Sequence, residues 1–132
     1  MELNPEHAPM QGPEQLFTGD VTIDPVTRGQ DPAQVLVNVV RFAPGARTAW
    51  HSHALGQTLY VTDGVGRVQA RGHDVVEIRA GDFVHAPPEE EHWHGASPGH
   101  AMTHISVTES TTGRDDTWGD HVTDEEYHGT DS

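Results

Sequence analysis

From Val21 onward, apolar and polar positions alternate in short runs separated by turn residues, the pattern of half-buried strands. Val21-Thr-Ile23 alternates, and Val35 to Phe42 is a β-branched run that stops before the Pro44-Gly45 turn pair. Gln57 to Thr62 alternates and ends at Asp63-Gly64, which predicts a hairpin turn. Gly66 to Ala70 and Val75 to Ile78 follow on either side of a turn at Arg71-Gly72. Ala80-Gly81-Asp82 turns the chain into Phe83 to His85, and Pro87-Pro88 ends that run because proline cannot donate to a ladder. Ala101 to Val107 is the last clear strand. About eight short strands with almost no helical period predict an all-β, single-domain jelly roll or small barrel. One helix is expected: Thr123-Asp-Glu-Glu126 fits a capping box and predicts a short C-terminal helix. Residues 1–15 carry Pro5, Pro9, Gly12 and Pro13 without an apolar period, which predicts a flexible N-terminal arm before a domain spanning 16–132.

Composition narrows the chemistry. The 132 residues suit one core, and a hydrophobic content of 33% leaves room for little more. With no cysteine there are no disulfides, thiolate nucleophiles or Cys-type zinc sites. All 7 basic residues are arginine, which excludes Schiff-base lysines and a P-loop. A formal charge of −14 repels phosphate backbones and anionic lipid, so neither nucleic acid nor membrane is an expected partner. No stretch reads as a signal peptide or approaches ~18 consecutive apolar residues, and a soluble, cytoplasmic protein is expected.

Against that background, 11 histidines stand out, more by placement than by number. His51 and His53, one residue apart, point to the same face of a strand, where two imidazoles can hold a metal in cis. Gln57, beyond the Ala54-Leu55-Gly56 turn, can supply a third ligand atom, and His92 arrives from a different hairpin. Three neutral imidazoles and a neutral amide leave a divalent ion's charge uncompensated, which makes a strong Lewis acid with affinity for anions. Such a set suits one divalent transition metal per chain, manganese or iron, with nickel, cobalt and zinc open under the general affinity order. His94 shares the face of His92, and His104 shares its own face with Met102, Ser106 and Thr108. His104 and His94 are the candidate general bases, although either could instead orient a ligand through a backbone or carboxylate bond. Asn38, Val40, Met102 and Thr108 are the expected walls of the substrate pocket. Trp50 and Trp93 alternate with the ligands and should pack on the opposite side. Arg47 reads equally as a turn-side structural residue or an anion clamp, and Pro87 to Glu91 as an acidic turn.

The spacing resembles the cupins. Gly45, His51-Ser-His53, Gln57 and Gly64 reproduce the first cupin motif, with glutamine where glutamate is usual. Gly81, Pro87 and His92 follow the second, in which Glu89 stands at a usual glycine and Ala96 at a usual asparagine. Phe42 to Thr48, Ala49-Trp-His-Ser-His53, Leu55-Gly-Gln-Thr-Leu59, His92-Trp-His-Gly95 and Ala101-Met-Thr-His104 resemble the bacterial manganese-dependent cupin hydroxynitrile lyases, with weaker likeness over most of the remaining chain. That resemblance implies His51, His53, Gln57 and His92 as ligands of manganese and His104 as the pocket histidine. It also implies a lyase that splits a cyanohydrin into an aldehyde and hydrogen cyanide, or joins them. Four residues past the pocket histidine that family carries glutamine, whereas this chain has the shorter Thr108. Two other classes fit the same ligands: a dioxygenase, isomerase or cyclase acting on a small oxygenated substrate, and a non-catalytic cupin that binds a small anion. Exposed sheet edges need cover, so a homodimer or homotetramer is expected.

Overall fold

Alternating segments form twelve strands and one helix in a computed structural model that describes residue 3 and residues 8–28, 32–110 and 116–129. The strands are β1 (Met10–Gln11), β2 (Phe17–Thr18), β3 (Val21–Arg28), β4 (Val35–Phe42), β5 (Arg47–Thr48) and β6 (His51–Ser52). They continue as β7 (Gln57–Ala70), β8 (Val76–Arg79), β9 (Phe83–Ala86), β10 (His92–Ala96), β11 (Met102–Glu109) and β12 (Thr117–Trp118), and the helix is α1 (Asp124–His128). Every pairing is antiparallel. One sheet runs β1-β3-β4-β11-β7-β9, and the other runs β8-β7-β10-β5-β2 with β6 beside β10 and β12 beside β6. This is the expected all-β cupin jelly roll. Of the proposed arm, Met10–Gln11 is paired with Thr22 and Ile23, and the Pro13 carbonyl accepts from Leu16 and Phe17.

β7 belongs to both sheets, and here the predicted hairpin at Asp63-Gly64 is corrected. The strand runs through that dipeptide. Opposite Thr103 and His104 the register skips Thr62, a bulge that bends the strand from one sheet into the other. Gly64 takes φ 82°, and a Cβ there would collide with the Ala101 carbonyl oxygen. A left-handed glycine beside a bulge leaves the same mark in a sequence as a tight turn.

Between the sheets, Val21, Val40, Phe42, Val61, Ile78, Ala96 and Met102 form a core at one end of the barrel. A second cluster lies outside β10, where Trp50, Trp93, Val122 and Tyr127 pack together. Trp50 and Trp93 therefore face away from His51, His53 and His92, as the alternation predicts. β10 is buried on both faces, histidines inward and Trp93 outward. α1 begins at Thr123 with both capping-box bonds formed and ends at left-handed Gly129. The Tyr127 hydroxyl donates to the Ala96 carbonyl at 2.6 Å, tying the helix to β10. Arg47 is structural: it donates to the Val122 carbonyl at 2.7 Å and to Asp124 at 2.9 Å, and it stacks on Tyr127. No helix among the described residues is long and apolar enough to cross a membrane.

Candidate metal centre

At the end of the barrel away from that core, β6, the turn after it, the start of β7 and the start of β10 bring four side chains together. Ligand atoms of His51, His53 and His92 lie within 4.8 Å of one another, and all three residues are buried. β6 and β10 are in register there, with His51 opposite His92. Gln57 completes the set, its Oε1 3.0 Å from His92 Nε2.

Hydrogen bonding settles which ring nitrogens face the centre. His51 Nδ1 lies 2.8 Å from the Ala49 carbonyl and His92 Nδ1 2.9 Å from the Glu90 carbonyl. A carbonyl can only accept, so each Nδ1 carries the hydrogen and each Nε2 of the neutral ring keeps its lone pair. His53 Nδ1 is held in the same way by Asp116, at 2.7 Å. His53 Nε2 is buried without a partner among the described residues. The Gln57 amide donates from Nε2 to Ser106 at 2.8 Å, which turns Oε1 toward the histidines. Lone pairs thus converge from several directions, an arrangement that repels itself unless a cation sits among them. The donor set fits a divalent transition ion.

The His51 and His92 rings are neutral near pH 7. Burial, then the nearby His92 ring, pushes His51 well below the usual imidazole range. Burial likewise lowers His92, against the opposing effect of its bond to the Glu90 carbonyl. Ligation needs neutral rings, so their protonation does not compete with a metal at that pH.

Behind the triad stands a second histidine pair. His94 and His104 share a hydrogen bond of 2.9 Å between His94 Nδ1 and His104 Nε2, and the outer nitrogens, His94 Nε2 and His104 Nδ1, have no partner among the described residues. Burial, followed by the neighbouring His104 ring, pushes His94 well below its usual value, and burial lowers His104 to about 4. His94 is the intermediate member, its ring 5.1 Å from that of His51 and 4.7 Å from that of His104.

A cavity of about 300 Å³ opens on these groups. Its walls include Asn38, Val40, Thr108, His94, His104 and Ser106, with Leu16, Phe17, Ile23, Leu36 and Trp118 adding apolar surface. Met102 does not line it, contrary to expectation: that side chain is 1% exposed and packs in the core with Val61 and Ala96. Alternation places Met102 on the inward face, but only depth along the barrel separates pocket from core. Asp116 and Trp118, by contrast, were not foreseen from the sequence. Trp118 stacks on His51, ring centres 4.5 Å apart and planes at 22°, and β12 brings it there by pairing with β6. A lone Thr-Trp pair in a polar stretch carries no periodic signal. Glu89 has φ 66°, the left-handed region, in the turn after Pro87-Pro88, which explains the usual glycine there.

Comparison with known proteins agrees with this geometry. Residues 38–107 match the family model described as a cupin domain. The chain is 53% identical over 117 residues to an (R)-mandelonitrile lyase of Granulicella tundricola, covering 89% of each. Among solved structures, a cupin-like protein from Thermotoga maritima superposes with a TM-score of 0.86 at 38% identity, covering 92% of this chain and 93% of the other. A polyketide cyclase from Streptomyces resistomycificus, 17% identical with a TM-score of 0.65 over 82% of this chain and 76% of its own, shares the fold. With residues 38–107 matching that family model, and with its motifs and two-sheet barrel, the chain belongs to the cupin family.

Proposed function

We propose that this protein is a metal-dependent cupin lyase that cleaves or forms cyanohydrins, with His51, His53, Gln57 and His92 holding one divalent ion, manganese first. The observation that carries the metal is the convergence of the His51, His53 and His92 donor atoms within 4.8 Å, with Gln57 beside them. The reaction class is supported by the 53% identical relative named a mandelonitrile lyase. When bound, a divalent ion in a neutral ligand set supplies Lewis acidity toward an oxygen or cyanide carrying negative charge.

The chain's own residues supply the rest. Neutral at pH 7, the His94–His104 pair can take a proton and move its charge. If His94 Nε2 accepts the hydroxyl proton of a cyanohydrin, the Nδ1 hydrogen passes to His104 Nε2. His94 is then neutral again and His104 carries the charge, one ring farther from the ligand triad. The reverse transfer returns the proton to departing cyanide. Asn38, Ser106 and Thr108 give polar contacts to a bound oxygen, and the apolar walls exclude water from the remainder. Thr108 leaves space where the lyases carry glutamine, which favours a bulkier carbonyl partner.

The test is cyanide release from mandelonitrile. Release should follow manganese loading, vanish in His51→Ala, and fall about 10²-fold or more in His104→Ala with metal content kept. Oxygen uptake with iron and no cyanide release would overturn the lyase in favour of a dioxygenase. A homodimer or homotetramer is part of the same proposal. Tyr60 and Phe83, 37% and 73% exposed and in tilted ring contact with centres 4.6 Å apart on the outer face of the first sheet, support it. A monomer mass in sizing chromatography would refute that part.

A further inference from the structure

Two of the three histidine ligands are oriented by backbone carbonyls two residues before them, Ala49 for His51 and Glu90 for His92. His53 is different. Its Nδ1 is held by the Asp116 carboxylate, 63 positions along the chain, at 2.7 Å. The segment that delivers Asp116 is fastened beside the site: Thr117 and Trp118 pair with Ser52 and His51, Gly119 N–H donates to the Trp50 carbonyl at 2.7 Å, and the Trp50 N–H donates to Asp120 at 3.0 Å. Trp118 lies flat on the His51 ring. One strap therefore touches two of the ligands, by a hydrogen bond to one and a ring face to the other.

We infer that Asp116 is a positioning residue for the metal centre, fixing the tautomer and ring angle of His53 and placing a negative charge behind a ligand set that has none. This rests on the proposed metal site. In this chain the fourth ligand is neutral Gln57, so no ligand atom compensates a bound cation. A carboxylate hydrogen-bonded to a ligand imidazole makes that ring more basic and supplies the missing charge one bond removed. The fold itself has little use for the contact. Asp116 is 49% exposed, and a pair of that exposure adds little to stability once solvent screens it. His53 Nε2, by contrast, is buried and unpartnered among the described residues, so the value of the Asp116 contact lies in what it makes of that atom.

The experiment is manganese affinity, by competition with a fluorescent chelator, for the full chain and for Asp116→Ala and Asp116→Asn, together with urea unfolding of the three metal-free proteins. Asp116→Ala should bind manganese about 10- to 100-fold more weakly. Asp116→Asn, which keeps an acceptor and loses the charge, should fall between the two. The metal-free proteins should unfold at nearly the same urea concentration. Equal affinity in wild type and Asp116→Ala overturns the assignment, as does a metal-free Asp116→Ala protein whose lost stability accounts for its weaker binding. Wild-type protein that takes up no divalent ion overturns the metal site as well.

Discussion

Removing metal and lowering the pH should destabilise this barrel well before its carboxylates protonate, because the buried histidines bind solvent protons less readily in the folded state than in the unfolded chain. His104 is fully buried and its folded value is lowered from 6.5 to about 4. Between those values the unfolded chain binds a proton that the native state refuses, so stability present above pH 6.5 is lost as pH falls toward 4. From pH 7 to pH 5 the unfolded imidazole becomes almost wholly protonated and the folded one hardly at all. At 1.36 kcal/mol per pH unit, His104 alone then removes about 2 kcal/mol. His51, His92 and His94 are lowered in the same direction and add to it. The measurement is urea unfolding of chelator-treated protein at pH 7, 6 and 5, followed by tryptophan fluorescence, in a range above most carboxylate titrations. A stability that stays level over this range, or rises as pH falls, would show that these rings accept protons in place and that the neutral acceptor pair does not exist.

Other outcomes follow from single positions. Gly64→Ala should cost about 3 kcal/mol or more, or prevent folding, because both the φ of 82° and the Ala101 carbonyl exclude a side chain; thermal melts of soluble protein would measure it. Glu89→Gly should stabilise by about 0.5–1 kcal/mol, since left-handed backbone costs a non-glycine residue about 1–2 kcal/mol and glycine returns part of that as chain entropy. A lower melting temperature for Glu89→Gly would mean that contacts of the Glu89 side chain outweigh the strain.

How much of this could be read in advance depended on whether the deciding interaction was local. Strand alternation placed His51, His92, His94 and His104 on inward faces, because a period of two is a property of adjacent residues, whereas His53 joins them from the turn after β6. The capping box at Thr123 was equally local and equally legible. Asp63-Gly64 misled because the positive φ of Gly64 serves a bulge in place of a turn, and only its pairing partners distinguish the two. Met102 misled because parity gives the face and not the depth. Asp116 and Trp118 gave no warning, since their importance lies wholly in partners more than sixty residues earlier in the chain.

A strand of 14 residues such as β7 would reach roughly 46 Å if straight. Yet both of its ends meet the same histidine: Gln57 places its amide oxygen 3.0 Å from the His92 ring, and Ala70 is the register partner of His92. The strand is in effect a pair of tweezers, with the bulge at Thr62 as the spring and the ligand site between the tips. With a metal bound as proposed, substitutions around the bend would offer a way to change the spacing of the donor atoms without altering a single one of them.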